Sequence, residues 1–288
     1  MRVSKIWDGA DPGGTPGRVF TGSINQETIV AEGPFFDHMK MGVKGAVSTA
    51  AVVIETFAGL ISEYSFRVGA DVRLSLSLQD LCALMEFYYH KLPTIGENTD
   101  ATGNDYIGGL KIPVQEKTDI NRPFTHYATR AAQTNIATET VALTGYFTDS
   151  DGGKKPIHAV LIQHTSAGTA GYETLGFKIV PVGKLIGLIL AGPAAGTFTD
   201  GNIDTSVQRI RILEDGKVAA AFNQLGDHTS PVAMDFVAPA PMADLLLPYA
   251  FYDLRPEGLD AKAKELTLQL DVEDVSDALR IIPVIEVE

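Results

Sequence analysis

The feature that most constrains this chain is an alternation with a period of two, followed by a turn and a doubly apolar run, and it is written twice. At the C-terminal end, Leu266, Leu268, Leu270 and Val272 alternate with Thr267, Gln269 and Asp271. That period marks a half-buried strand. An acidic turn, Glu273 to Asp277, leads into Leu279 to Val287, which is apolar on both faces at Ile281, Ile282, Val284 and Ile285. Such a run fits a strand covered on both sides, with a neighbouring subunit as one candidate cover. Earlier in the chain, Val141, Leu143 and Phe147 oppose Thr140, Thr144 and Tyr146, Asp149 to Lys155 (DSDGGKK) forms a turn, and Ile157 to Gln163 forms the next strand. The two second strands start about 120 residues apart. The pattern predicts one β-domain present in two copies, each closing with a hairpin.

The rest of the sequence agrees. Met39 to Phe57, Tyr64 to Ser77, Tyr106 to Gln115, Leu175 to Val182, Leu185 to Leu190, Val207 to Leu213, Val232 to Ala238 and Pro248 to Leu254 carry strand signals between Gly- and Pro-rich turns. Thr118 to Thr134 is polar and aromatic and reads as an excursion. One helix is predicted over Leu78 to His90, with Ser77 as N-cap, Asp80 completing a capping box, and Leu78, Leu81, Cys82, Met85 and Tyr89 on one stripe. A second, Lys217 to Leu225, occupies the corresponding place after the turn Glu214-Asp215-Gly216. The predicted fold is all-β: two consecutive eight-stranded jelly rolls, each with a short helix inserted after a central strand. The expected organisation is an irregular N-terminal arm over 1–34, rich in Gly and Pro and holding the only tryptophan, Trp7; a first jelly roll over 35–167; and a second over 168–288. The arm is either a mobile tail or a docking segment, and Trp7 favours docking.

Composition narrows the function. With 288 residues, 45% of them hydrophobic and 20% charged, the chain is globular, and a net charge of −13 with no basic cluster argues against a nucleic-acid surface. The single cysteine, Cys82, permits no internal disulfide and no Cys-rich zinc site, and its apolar flanks predict an inert buried thiol. The N-terminus lacks the apolar stretch of a signal peptide, and Leu185 to Thr199 is too short and interrupted to span a bilayer.

Catalytic patterns are missing. The six histidines (His38, His90, His126, His158, His164 and His228) include no pair one residue apart of the cupin type. There is no nucleophile elbow, no phosphate-binding loop and no H-E-x-x-H. Asp149 and Asp151 begin a segment like a calcium loop, but the distal glutamate is absent, so a plain hairpin turn is the stronger reading. Tyr88, Tyr89, Phe124, Tyr127, Phe251 and Tyr252 could form a glycan-binding aromatic face, yet each sits among apolar residues or prolines and is better read as buried. No catalytic residue and no cofactor is expected.

The layout, carried by VRLSLSLQDLCALMEFYY (Val72 to Tyr89), VQRIRILEDGKVAAAF (Val207 to Phe222), PYAFYDLRP (Pro248 to Pro256) and the ending from Leu266 to Val287, resembles the double-jelly-roll major capsid proteins of tailless, membrane-containing double-stranded DNA viruses, in particular the smaller, corticovirus-like members. The resemblance implies a homotrimer of pseudo-hexagonal outline tiling an icosahedral shell, located in the virion and made in the host cytoplasm. It implies neighbouring capsomers, a second capsid subunit or penton protein, and an internal membrane reached by the arm as partners, and no specific nucleic acid. Apolar residues such as Leu245-Leu246-Leu247 exceed what a monomer needs to bury. The competing readings are a receptor- or glycan-binding β-sandwich and an enzyme on a jelly-roll scaffold.

Overall fold

A computed structural model of the chain describes residues 1–7, 18–19, 24–47, 59–91, 93–97, 104–131, 136–166, 171–177, 183–191, 207–223, 249–260, 266–272 and 278–288. It divides into two units, Met1–Ile157 and His158–Glu288.

In the first unit the strands are β1 (Arg2–Trp7), β2 (Arg18–Val19), β3 (Ile24–Ile29), β4 (Phe35–Val47), β5 (Ile61–Val68) and β6 (Asp71–Leu76). Helix α1 (Leu78–Tyr89) follows, then β7 (Thr94–Glu97), β8 (Asn104–Lys117), β9 (Phe124–Arg130), β10 (Ile136–Thr148) and, at the junction, β11 (Ile157–Val160). The second unit continues with β12 (Ile162–Thr165), β13 (Gly171–Phe177), β14 (Gly183–Ala191), β15 (Val207–Glu214), β16 (Lys217–Asn223), β17 (Tyr249–Asp253), β18 (Leu259–Asp260), β19 (Leu266–Val272) and β20 (Ala278–Val287).

The sheet orders show a true repeat. The main strands of the first unit run β1-β10-β4-β8 in one sheet and β3-β9-β5-β6 in the other. Those of the second run β12-β20-β14-β17 and β13-β19-β15-β16. Counted along the chain within each unit, both read first-eighth-third-sixth and second-seventh-fourth-fifth. That is jelly-roll order, so each unit is an eight-stranded jelly roll.

Several expectations are corrected by this order. The residues expected to form an irregular arm supply β1 and β3, the first two strands of the first roll. They pair with β10 and β9, so a membrane-reaching arm is withdrawn for them. Residues 8–17 lie outside the described residues. Both expected closing hairpins are crossovers. Strand β10 pairs with β1, β2 and β4 and not with β11, and β19 pairs with β13 and β15 while β20 pairs with β14 and β12. The Thr118 to Thr134 excursion contains β9, a strand paired on both sides. The division between units falls earlier than residue 167 because β12 already pairs with β20.

Helix α1 forms as expected. The Ser77 hydroxyl accepts from the Asp80 N–H at 3.2 Å, the Asp80 carboxylate accepts from the Ser77 N–H at 3.0 Å, and His90 closes the helix in the left-handed region. The second helix does not form over Lys217–Asn223, which is strand β16. Asp215 and Gly216, both with positive φ, make a two-residue turn that sets Glu214 opposite Lys217 and folds β16 back onto β15. That turn overrides the helix propensity of the alanine run. The segment after it, 224–248, is outside the described residues, as are 51–57, Val232 to Ala238 and Leu245 to Leu247. Strand β20 is buried on both faces by the chain itself at Ile281, Ile282, Val284 and Ile285, so no neighbouring subunit is needed to cover it.

Candidate functional site on the first sheet of the first unit

Strand β4 begins Phe-Phe-Asp-His-Met-Lys-Met, and two polar residues in succession break its alternation. The structure resolves the break as a bulge. On β10, Tyr146 and Phe147 oppose His38 and Phe36, so Asp37 is an extra residue; on β8 the register steps from Glu116 to Pro113 across the same point. Gln115, in that step, takes a left-handed backbone (φ 56°) and is buried. The bulge lets Phe36 turn inward against Phe147 while Asp37 and His38 meet each other.

These residues form a small network. The Asp37 carboxylate lies 2.6 Å from His38 Nδ1 and accepts from Lys154 Nζ at 2.5 Å. The His38 ring stacks on Tyr146 at 4.6 Å and 5°, and Lys40 Nζ lies 5.0 Å from the same ring. Helix α1 lies against β8: Met85 Sδ accepts from the Lys111 N–H at 3.1 Å, Tyr88 Oη accepts from Gln115 at 2.7 Å, and Lys111 Nζ sits 4.2 Å from the Tyr89 ring centre. Beside this network, Arg73 and Glu116 form a buried ion pair.

Burial acts on Asp37 by raising its pKa, but the hydrogen bonds from Lys154 and His38 outweigh it and hold the carboxyl below its ordinary value. His38 is pushed down by burial, against the pull of Asp37 and with help from Lys111 and Lys40. Lys111 is lowered by burial, with Asp37 opposing and Lys154, Lys40 and Lys91 adding to the shift. The result is a neutral imidazole beside an ionised carboxylate, among lysines. His38 is hydrogen-bonded to Asp37 and stacked on Tyr146.

The register shows a larger pattern. Lys5 on β1 pairs with Thr144 on β10, Thr144 with Lys40 on β4, and Lys40 with Lys111 on β8. Directly opposed residues share a face of the sheet. One row across four strands therefore carries three lysines, and the next carries Val3, Tyr146, His38 and Pro113. Sequence reasoning missed both the row and the bulge. The double polar step at Asp37-His38 was the signal for the bulge; the row depends on strand order and has no local signal.

The residues singled out in the sequence fall elsewhere. Asp149 pairs with Arg2 at 3.2 Å, and Asp151 pairs with Lys117 at 3.3 Å and accepts from the Gly153 N–H at 3.0 Å. Both carboxylates serve a turn in which Gly152 and Gly153 have positive φ. Among the described residues no group of three or more His, Cys, Asp or Glu side chains could hold a metal ion. His126 is fully buried, His158 nearly so, His164 lies 2.7 Å from Glu173, and His228 is outside the described residues. Phe124, Phe251 and Tyr252 are buried, and Tyr127 lies under the Arg67 guanidinium at 4.6 Å. Tyr88 and Tyr89 pack edge to face. The Cys82 thiol is buried and pushed up to about 12 by burial, with Asp80 adding to it. No helix among the described residues is long and apolar enough to cross a membrane.

No family profile matches the chain, and no curated protein sequence does. Solved structures do. The chain is similar over its whole length to the STIV MCP, with a TM-score of 0.71, 13% identity and 97% of that chain covered. It is similar to the major capsid protein P2 from bacteriophage PM2 at 0.57 and 12%, covering 100% of this chain and 98% of that one. A third likeness, to a chain of the PBCV-1 virus capsid, has a TM-score of 0.56 at 10% identity, covering 98% and 92%. The chain thus has the double-jelly-roll fold found in these capsid proteins.

Proposed function

We propose that this chain is the major capsid protein of an icosahedral virus, a structural protein that associates with copies of itself and resides in the virion. The observation that carries the reading is the end-to-end correspondence with the STIV MCP, in which 100% of this chain and 97% of that one are matched. A single jelly roll is shared by many functions. Two in tandem, with almost nothing of either chain left over, is a far narrower likeness.

The unit of assembly in this reading is a trimer. Three copies of a chain with two similar rolls present six similar bodies, a pseudo-hexagonal tile. Hexagonal tiles alone cannot close an icosahedral shell, so a second, vertex-forming protein belongs to the same reading. An internal membrane is no longer supported by an arm made of β1 and β3; any such contact falls to other segments. No catalytic step is assigned to the rolls.

Light scattering on the purified protein tests the reading. A stable species near three chain masses, about 92 kDa from a chain of 30.8 kDa, is expected, and electron microscopy of assembled particles should show capsomers of that mass. A monomer that persists as concentration rises overturns it.

A further inference from the structure

We propose that the lysine row on the first unit's β1-β10-β4-β8 sheet, anchored by Lys40 and Lys111, docks the acidic second unit of a neighbouring copy of this chain. The inference rests on the capsid reading and adds to it the surface and the sign of the contact.

The first argument is the cost of the row to the isolated chain. Like charges directly opposite one another on adjacent strands destabilise a sheet. Lys40 and Lys111 are so placed, and Lys5 occupies the same row two strands away. Lys40 is exposed and Lys111 half-buried, and neither has a carboxylate partner among the described residues. Asp37, the acid within the network, is already held by Lys154 and His38. The Tyr146 and Tyr89 rings beneath the two ammonium groups ease the repulsion and present aromatic surface alongside it. Val3, in the next row, is 48% exposed. Aromatic rings, an exposed aliphatic side chain and unpaired cations are the composition of a contact surface rather than of a solvated face.

The second argument is charge complementarity within the chain. The first unit has 14 basic against 18 acidic residues, a net −4, and the second has 9 against 18, a net −9. Among the described residues of the second unit, Asp215, Glu257, Asp260 and Glu288 are exposed. In a solution of identical chains, the unit of another copy with the larger net negative charge is the second, because it carries as many acids as the first and fewer bases to offset them. Opposed patches of this kind steer association and fix which face meets which. A first unit on a second unit is also a head-to-tail contact, which is the kind that closes into a ring.

The test uses the full chain carrying Lys40→Glu, with Lys40→Gln as a graded control. In the folded chain Lys40→Glu replaces a repulsive pair with an attractive one, so the melting temperature of the dissociated protein should rise. Association measured by light scattering should nevertheless weaken by about tenfold or more, and wild-type association should fall as salt is added. Opposite signs on stability and assembly are the expected signature. If wild type is oligomeric and Lys40→Glu assembles equally well at every salt concentration, the docking proposal fails while the capsid reading stands. A wild-type monomer at all concentrations removes both. Sedimentation with phosphatidylserine–phosphatidylcholine vesicles that is lost in Lys40→Glu, with oligomer mass unchanged, assigns the row to a lipid surface and overturns the proposal.

Discussion

The two jelly rolls share a strand order and are filled by different side chains. The first is packed with rings: Phe36 stacks on Phe147 at 4.4 Å and meets Phe124 at 5.3 Å and Phe66 at 5.8 Å. The second is mainly aliphatic, with Tyr252 as a buried ring among its members: Leu185, Leu188 and Leu190 of β14 and Ile281 and Ile285 of β20 face Ile210 and Ile212 of β15 and Leu266, Leu268, Leu270 and Val272 of β19. Rings need room in the backbone. Gly145 supplies it in the first roll, where a Cβ would sit 3.1 Å from the Phe36 ring, and the bulge at Asp37 swings Phe36 inward. Aliphatic side chains pack between regular strands, and the exception in the second roll is Gly183, whose closeness to β20 would put a Cβ 2.3 Å from the Glu286 carbonyl oxygen. The comparison teaches that jelly-roll order does not depend on one packing solution: it requires inward apolar volume in the right strands.

The largest expected effect tests whether each core serves its own roll. Phe36→Ala should cost about 3–5 kcal/mol and Leu270→Ala about 2–5 kcal/mol. Trp7, the only tryptophan, belongs to β1, a strand of the first roll. Urea denaturation followed by its fluorescence should show a larger shift for Phe36→Ala than for Leu270→Ala. Equal shifts would show one cooperative transition spanning both rolls. Next come the glycines. Gly183→Ala and Gly145→Ala both overpack, at about 1–3 kcal/mol. The first should be the worse, because its Cβ meets a backbone carbonyl at the end of the β14–β20 ladder, whereas the second meets a ring that can shift. Thermal melts of the two variants would rank them, and the reverse order would mean that the ring cluster is the stiffer element.

The same comparison explains what was legible in the sequence. Strands with aliphatic inward residues, such as β19 and β15, alternate plainly and were readable. Strand β9 alternates equally well in burial, but its inward residues are Phe124, His126 and Ala128, and a buried histidine and a small alanine hide the period. Strands β1 and β3 read as arm because few apolar residues alternate in them; among their described side chains Ile29 in β3 is buried and Val3 in β1 is exposed. The two false hairpins share one cause. A short turn between strands suggests pairing, yet β10 and β11 lie in different sheets, as do β19 and β20, the seventh and eighth strands of the second roll, and only the pairing partners reveal it. The lysine row was illegible for the same reason: its members come from β1, β4 and β8, and their alignment exists only once β10 lies between the first two.

A smaller effect belongs to the helix after β6. Ser77→Ala removes the hydroxyl that caps Asp80 and should cost about 1 kcal/mol. Restoration by Ser77→Asn or Ser77→Thr, read in the same melts, would identify capping as the cause; loss without restoration would point to packing around Ser77 instead.

The smallest expected effect is a pH dependence that the first roll owes to its bulge. His38 is held below the ordinary histidine value of 6.5, mainly by burial, with Lys111 and Lys40 assisting and Asp37 resisting. The unfolded chain therefore takes up this proton at a higher pH than the folded one does. The contribution is fully present above about pH 6.5 and drains away as pH falls from there towards the folded value. Asp37 acts in a separate, lower window: its folded pKa lies below 3.8, so its contribution is lost only as pH falls through that range. Taking the stability difference between wild type and His38→Gln as a function of pH isolates the first effect. The difference should change below pH 6.5 and stay flat above it. A difference that instead changes only below pH 4 would mean that His38 acts solely as a hydrogen-bond partner for Asp37, and that the bulge holds a carboxylate and not a titrating imidazole.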